Sequence, residues 1–265
     1  MISVKGTKIN KALKAWPHGT VATASWFEEF GIGHQLRSAY QQSAWIKRLS
    51  PGAFIREEDN VSWEGGLYAI QKHLHLPIHV AAKTALEFQG VAHFIPTVEG
   101  RSITLFATPR TKLPFWFKKH DWHVNLHFIT ANLFSGTKDV GLIEKSHENY
   151  SLCISSRERA ILELLHLVPQ SQSFEEAKLL FESLRTLRPE FVQILLQNCL
   201  SIKAKRLFLY FADSTNQPWL DDLDLSKINL GKGKRVIAGG GVFNNKYDIS
   251  VPKIFGEEKQ ELEGA

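Results

Sequence analysis

Apolar and polar positions alternate along the first 56 residues in a way that predicts three short helices followed by a hairpin. Helical spacing covers residues 5–16, 24–30 and 34–43, while β-like runs cover residues 45–49 and 53–56. The first helix carries a single apolar stripe made of Ile9, Ala12, Leu13 and Trp16. A turn with two glycines separates the second helix from the third. This order of elements is that of a winged helix-turn-helix.

The pattern changes beyond this segment and predicts a larger mixed domain. Residues 90–153 carry alternating, turn-broken runs typical of strands, residues 155–213 have helical spacing, and residues 228–252 return to strands. We therefore predict an α+β protein. Its domain 1–58 is a winged helix-turn-helix, and its domain 59–265 is a larger mixed α/β domain.

The third predicted helix has an apolar side and a side of hydrogen-bonding residues. On a wheel at 100° per residue, His34, Ser38 and Gln41 lie together, flanked by Arg37 and Gln42. The opposite side, which we interpret as the core face, holds Leu36, Ala39, Tyr40 and Ser43. Arg is the usual partner of guanine in the major groove and Gln of adenine. The polar side is therefore predicted to contact double-stranded DNA.

The predicted hairpin adds basic residues and a tight tip. Lys47, Arg48 and Arg56 are placed to hold phosphates, and the tip that begins at Ser50 is placed to approach a groove. Winged helices also serve as protein-docking modules, and a polar helix face can simply be solvated. From the residues alone, those two interpretations stay open.

Charge is distributed unevenly along the chain. The formal net charge is +5, yet residues 1–56 hold eight lysines and arginines against two glutamates, a net charge of +6 that leaves −1 for the rest. Such asymmetry favours a nucleic acid or a membrane surface as partner of the N-terminal unit. No apolar run reaches the roughly 18 residues of a membrane span, and Cys153 and Cys199 form no CxxC pair. The sequence therefore predicts a cytoplasmic protein without membrane contact.

Patterns that carry catalysis or bind metals are weak in this chain. His120, His123 and His127 lie close in sequence, but a strand would place only two of them on one face, and no HExxH or CxxC motif accompanies them. The acidic run at residues 221–224 is interpreted as surface charge. We predict no catalytic residue, no metal and no cofactor, and hence no enzyme. A metal-dependent enzyme that processes nucleic acids, with these side chains as ligands, is the alternative.

A second basic concentration lies near the C-terminus, in Gly231-Lys232-Gly233-Lys234-Arg235. It lacks the GxxxxGK[ST] spacing of a phosphate-binding loop, and it precedes a predicted strand rather than a helix. A solvated face is the plain interpretation of this stretch. A second contact with nucleic acid is the alternative.

Several stretches taken together carry a family resemblance. They are "GIGHQLRSAYQQSAWIKRLSPGAFIR", "WEGGLYAIQ", "HVAAKTALEFQG", "LPFWF", "SSRERAILELL", "KAKRLFL" and "GKRVIAGGGVFNNKYDISVP". In their order and spacing they resemble the AbiEi family of antitoxins from bacterial type IV toxin–antitoxin systems, once described in phage abortive infection. The resemblance covers about residues 5–252.

The resemblance implies a repressor fused to an antitoxin domain. The N-terminal part of such proteins binds inverted repeats in its own promoter and represses the operon. The C-terminal part counters a toxin that resembles nucleotidyltransferases, usually without a stable complex. The operator contacts implied for this chain are Arg37, Ser38, Gln41, Arg48 and Arg56.

The working surface of the C-terminal part is expected on two helical stretches. The residues expected there are Arg157, Arg159, Lys203, Lys205 and Arg206. Many relatives stand without an obvious toxin, so a stand-alone DNA-binding regulator is the alternative function.

Overall fold

The chain divides into two compact units in the computed structural model. The model describes residues 8–91, 101–136, 139–237 and 239–253. The first unit takes in residues 8–79, 101–130 and 144–154, and the other described residues form the second unit. Both units combine helices with strands, which confirms the predicted α+β class.

The N-terminal segment folds as a winged helix-turn-helix. Its helices are α1 (Lys8–Ala15), α2 (Ala24–Glu29) and α3 (His34–Gln42), and its strands are β1 (Ala22–Thr23), β2 (Ile46–Ser50) and β3 (Ala53–Arg56). The three strands form an antiparallel sheet in the order β1-β3-β2, which gives the wing its two long strands.

Local chemistry explains where α2 begins and how the chain turns into α3. The hydroxyl of Thr23 accepts the backbone N–H of Trp26 at 3.2 Å and so caps α2. Gly31 follows α2 at φ +67°, a left-handed conformation that suits glycine, and its N–H donates to the carbonyl of Glu28 at 2.8 Å. The next residue, Ile32, is fully buried and anchors the turn in the core.

Aromatic side chains fill the core of the winged helix. The rings of Trp16 and Phe27 meet edge to face with centroids 5.5 Å apart, and Trp26 and Phe27 do so at 5.4 Å. Ile46 of β2 is buried in the same cluster. Such aromatic pairs contribute about 0.5–1.5 kcal/mol each beyond their buried area. The core thus rests mainly on α1, α2 and the sheet.

Helix α4 (Trp63–Lys72) packs with the winged helix in the first unit. The N–H of Val21 donates to the carbonyl of Gly65 at 3.1 Å, and the ring of Trp26 stacks on His73 with centroids 4.7 Å apart. Residues on both sides of position 58 therefore share one compact unit. The division into domains 1–58 and 59–265 stays a prediction.

A five-stranded sheet completes the first unit. Its strands are β4 (Ile78–Val80), β5 (Ser102–Ala107), β6 (Asn125–Thr130), β7 (Leu142–His147) and β8 (Tyr150–Ser155), in the order β6-β5-β4-β8-β7. Strands β5 and β6 run parallel. Four of these strands lie in the stretch expected to be strand-rich, although residues 92–100 of that stretch lie outside the described residues. The short helix α6 (Phe115–Lys119) was not expected there.

Five helices form the body of the second unit. They are α5 (Ala82–Phe88), α7 (Arg157–Leu167), α8 (Phe174–Glu182), α9 (Pro189–Asn198) and α10 (Ile202–Ser214). The hydroxyls of Ser156, Ser173 and Ser201 each accept the N–H three residues onward and cap α7, α8 and α10. These three helices begin within the stretch of residues 155–213 for which the sequence pattern predicts helical spacing.

The second unit ends in a small three-stranded sheet. A 3₁₀ turn (Leu225–Lys227) precedes β9 (Arg235–Val236), β10 (Val242–Asn244) and β11 (Ile249–Val251). The order is β10-β11-β9, with β9 parallel and β10 antiparallel to the central strand. Within the described residues, none of the helices has both the length and the apolar character needed to cross a membrane.

Candidate nucleic-acid interface

Helix α3 presents most of its surface to solvent. Arg37 is its only buried residue, and Tyr40 and Gln41 are half-buried. Positions opposite Arg37 at 100° per residue form the outer face of α3. The outer face consists of Gln35, Ser38, Ala39 and Gln42, all exposed, with His34 exposed at one flank.

The predicted core face of α3 is wrong in part. Leu36 is 37% exposed, and Ala39 and Ser43 are also exposed. Only Tyr40 of that set packs against the core of the winged helix. The helix is rotated relative to the prediction, so that Arg37 and not Leu36 lies on its buried side. The outer face therefore includes Gln35 and Ala39, which the sequence pattern did not assign to DNA.

Arg37 lies inside the winged helix rather than on the predicted exposed flank. Its side chain is 8% exposed, and its Nη1 donates to the carbonyls of Ile32 at 2.8 Å and Ala24 at 3.2 Å. The guanidinium also pairs with Glu28 at 3.3 Å. These bonds tie α3 to both ends of α2 and to the turn between the two helices. Because Nη1 is bound to two backbone carbonyls and Nη2 to Glu28, the side chain of Arg37 holds α3 in place and does not lie on its exposed side.

The wing carries two exposed cations at its outer edge. Lys47 donates to the carbonyl of Glu57 at 2.8 Å, and Arg48 is exposed with no acidic partner among the described residues. Ser50 is half-buried beside the tip, where Gly52 at φ +80° has open space around its Cα. The backbone of the tip can therefore approach a phosphate closely.

Arg56 takes a structural role instead of the predicted phosphate contact. Its Nη2 donates to the carbonyls of Leu13 at 2.5 Å and Trp16, and its guanidinium lies over the ring of Trp16 at 5.4 Å. Burial lowers the pKa of Arg56, and the nearby Asp59 opposes that shift. The side chain fastens the end of α1 to the wing.

Helix α1 adds further positive charge to the first unit. Lys8, Lys11 and Lys14 are exposed, and the Nζ of Lys8 donates to the carbonyl of Gly31 at 2.9 Å. Lys8 therefore lies beside the turn that precedes α3. Among the described residues of this segment, the exposed lysines and arginines thus lie on α1 and the wing, while the outer face of α3 supplies neutral hydrogen-bonding groups.

Most of the predicted antitoxin surface is interior. Arg159 is buried, its Nε pairs with the fully buried Glu163 at 2.8 Å, and its Nη1 donates to the carbonyl of Val140 at 2.7 Å. Arg157 is half-buried and donates to the carbonyl of Gln89 at 2.9 Å. Both arginines therefore brace the start of α7.

The basic stretch at the start of α10 is also directed inward. Lys203 is half-buried and donates to the carbonyls of His166, at 2.7 Å, and Val168. Lys205 and Arg206 are 3% and 1% exposed, and burial lowers the pKa of Lys205. Backbone carbonyls accept hydrogen bonds from Lys203 and from the guanidinium of Arg206, and these bonds offset the cost of burying the two cations.

Histidines and carboxylates in the first unit border a polar cavity of about 340 Å³. Its lining includes His120, Asp121 and His123 beside the phenol of Tyr150. Burial lowers the pKa of His120 and raises that of Tyr150. His123 pairs with Asp121 at 3.3 Å, while His127 is exposed on β6. Within the described residues, no group of three or more His, Cys, Asp or Glu converges as metal ligands would.

The acidic run after α10 has a local role at one of its residues. Asp224 caps the 3₁₀ turn through Ser226 and pairs with Lys227 at 2.9 Å. Asp221 and Asp222 are exposed. This agrees with the interpretation of residues 221–224 as surface charge.

Comparison with known proteins gives two family matches that together span most of the chain. Residues 5–97 match a family described as the N-terminal domain of the AbiEi antitoxin transcriptional regulator. Residues 100–252 match a family described as a transcriptional regulator, the AbiEi antitoxin of a type IV toxin–antitoxin system. A search of curated proteins finds no match.

One solved structure is similar over nearly the full length. It is the crystal structure of the RV2827C protein from Mycobacterium tuberculosis, with a TM-score of 0.54 and 17% sequence identity. The similarity covers 92% of this chain and 91% of the other. At this identity the match shows a common fold.

Proposed function

Because this chain belongs to the AbiEi antitoxin family of transcriptional regulators of type IV toxin–antitoxin systems, we propose that it represses its own operon and counters a nucleotidyltransferase-like toxin. The outer face of α3 is the observation that supports this best. It is exposed, carries no charged residue, and ends in amide and hydroxyl groups that match the hydrogen-bonding edges of bases.

Base recognition is assigned to α3. Gln35 and Gln42 are placed to bind adenine through their amides, and Ser38 to accept or donate at either base edge. Ala39 and the exposed part of Leu36 offer apolar contact to thymine methyl groups. His34 and the half-buried Gln41 lie at the border of this face. Each good bidentate contact contributes about 1–3 kcal/mol of discrimination between bases.

Affinity for any DNA sequence is assigned to α1 and the wing. Lys47 and Arg48 lie on β2, and the lysines of α1 extend the positive surface. Cations that neutralise phosphates release bound counterions, so affinity falls steeply as salt rises. In this proposal the neutral side chains of α3 contact bases and supply specificity, while the cations of α1 and the wing contact phosphates and supply affinity. Sequence-specific repressors are expected to bind DNA in this way.

The operator is proposed to be an inverted repeat in the promoter upstream of the chain's own gene, and the protein to act in the cytoplasm. The direct test is a footprint of the purified full chain on that DNA. Protection of two related half-sites, with loss of protection when Gln35 and Gln42 are replaced by alanine, is the expected result. Protection that is uniform along the fragment would contradict sequence-specific binding.

The antitoxin role is proposed for the second unit, acting by binding rather than by catalysis and without a stable complex with the toxin. The test is growth of cells that express the neighbouring gene with and without this chain. Growth arrest that this chain relieves is the expected result. If the neighbouring gene is harmless, or if its toxicity persists in the presence of this chain, the protein is a regulator without a toxin of its own.

A further inference from the structure

A cluster of cations lies in the second unit, away from the winged helix in sequence. Residues 229–247 contain Lys232, Lys234, Arg235 and Lys246 and no Asp or Glu. Lys246 is held by Asp213 at 3.0 Å. The other three cations are exposed, and none has a carboxylate partner among the residues that the structure describes. Asp248, the next acidic residue, is exposed and makes no ion pair there.

Lys232, Lys234 and Arg235 lie on one segment, here named the basic loop (residues 230–236). The buried side chain of Arg206 holds this loop through hydrogen bonds to its backbone. Arg206 is 1% exposed, and its guanidinium donates to the carbonyls of Gly233 at 2.7 Å and Leu230 at 2.9 Å. It also donates to the carbonyls of Asp248 at 2.9 Å and Gly231 at 3.3 Å. A buried arginine that serves four backbone carbonyls orders the basic loop before any ligand binds, which lowers the entropic cost of binding.

Two glycines shape the basic loop, whose lysines are exposed. Gly231 and Gly233 have φ of +65° and +78°, a conformation that side chains rarely adopt. Around Gly233, an added Cβ would find no atom closer than 4.0 Å. The ammonium of Lys234 lies 4.5 Å from the centre of the Phe243 ring, which steadies its stem. Val236, 67% exposed, follows on β9 at the edge of the sheet.

These features fit an extended polyanion better than a small ligand. Small anions are held by enclosed donors, whereas Lys232, Lys234 and Arg235 are all exposed and project from one short segment. Exposed cations gain binding energy mainly by releasing counterions from a phosphate chain. We propose that the basic loop makes a second contact with the phosphates of operator DNA, in addition to the contact made by the winged helix. This inference rests on the proposed DNA-binding function and extends it to the second unit.

The test measures how operator affinity of the full chain depends on salt. In the variant K232Q/K234Q/R235Q, the slope of log K against log salt concentration is expected to become shallower by about 2–3, because each phosphate contact contributes about 0.9. The ratio of operator to random DNA affinity stays unchanged, since phosphate contacts carry no sequence information. The matched control K178Q/K227Q/K246Q removes the same charge from three lysines already paired with carboxylates. It is expected to change the slope by less than about 1.

The outcomes separate this inference from the function on which it rests. If the loop variant and its parent show the same slope of log K against log salt concentration, the basic loop makes no contact with DNA. Specific binding by the parent would still support base recognition by the winged helix. If the loop variant binds DNA like its parent but no longer relieves toxicity, the basic loop serves a protein partner and the inference is overturned. If the parent binds no operator, the proposed function itself fails.

Discussion

The guanidinium of Arg37 donates a 2.8 Å hydrogen bond to the backbone carbonyl of Ile32, in the turn that leads into α3. Arg37, which the sequence pattern assigns to guanine recognition, therefore anchors α3 inside the winged helix. Hydrogen bonds from a charged group to buried acceptors contribute about 1.5–3 kcal/mol each, and removing the donor leaves the acceptor unpaired.

Replacement of Arg37 by alanine is expected to lower the free energy of unfolding by about 2–4 kcal/mol. Operator and random DNA affinities should fall together, because α3 loses its anchor. Urea unfolding monitored by tryptophan fluorescence, with filter binding to both DNAs, measures the two effects. Gln42→Ala, on the exposed side of the same helix, is the control that should leave unfolding unchanged. An unaltered urea midpoint for the Arg37 variant would show that Arg37 does not anchor α3.

Replacement of Glu28 by glutamine separates the ion pair from the carbonyl bonds of Arg37. The carboxylate of Glu28 is 61% exposed, and exposed ion pairs contribute at most about 1 kcal/mol. We expect a change in unfolding free energy below that value, checked by the same urea series. If the free energy of unfolding fell as far as in the Arg37 variant, the ion pair with Glu28 and not the carbonyl bonds would hold α3.

Arg48 is expected to act on affinity without acting on specificity. Because its side chain is exposed on β2, Arg48→Ala should weaken binding to all DNA sequences evenly and make the salt slope shallower by about 0.9. Titrations at several salt concentrations with operator and random duplexes measure both quantities. Selective loss of operator affinity would assign Arg48 to a base.

His73 should make the first unit less stable in acid. Burial lowers the pKa of its imidazole to about 4 from an ordinary value of 6.5, and the neighbouring His75 adds to that shift. The folded state therefore favours the neutral ring. The stabilisation is complete above about pH 6.5 and is lost as pH falls toward 4, because the unfolded chain takes up the proton first. The shift corresponds to at most about 3 kcal/mol.

The variant H73F tests this pH dependence. A phenyl ring keeps the stack on Trp26 and does not titrate. The free energy of unfolding of the parent should therefore fall relative to that of the variant as pH falls from 7 to 5. Carboxylates that titrate in the same window affect both proteins alike and cancel in the difference. A difference that is constant with pH would mean that His73 does not titrate as the geometry requires.

Gly65 is expected to tolerate no side chain. A Cβ there would lie 1.9 Å from the carbonyl oxygen of Gly19, which is backbone and cannot move aside cheaply. Gly65→Ala should therefore destabilise the first unit by more than about 3 kcal/mol or prevent folding. Gly239→Ala, at a position with open space, should have little effect. Equal thermal midpoints for the two variants would contradict the close approach of α4 to the segment before β1.

The sequence was sufficient to predict most elements of the winged helix and the fold class. Local signals carry that information: the two glycines of the turn into α3 and the tip that begins at Ser50. Strand β4, with three residues, and α6, with five, were too short to leave a periodic signal.

Side-chain direction was predictable only in part. The outer placement of Ser38 and Gln42 follows from their lack of apolar groups, but the pattern also predicts an outer position for Arg37 because it is charged. Arg37 is buried because the backbone carbonyls of Ala24 and Ile32 accept its hydrogen bonds. The spacing of apolar residues carries no information about such acceptors. Arg206 is the same case over a longer range, since its acceptors lie 24 to 42 residues away in sequence. Cations that the sequence pattern places on the surface are therefore buried where distant backbone carbonyls accept their hydrogen bonds.

The outer face of α3 is proposed to read the operator. Competition binding of the variant Q35A/S38A/Q42A to operator and random duplexes at one salt concentration tests it most directly. We predict that operator affinity falls at least about tenfold while random DNA affinity and the urea midpoint stay the same. An unchanged ratio of operator to random affinity in the folded variant would show that sequence is read elsewhere in the molecule.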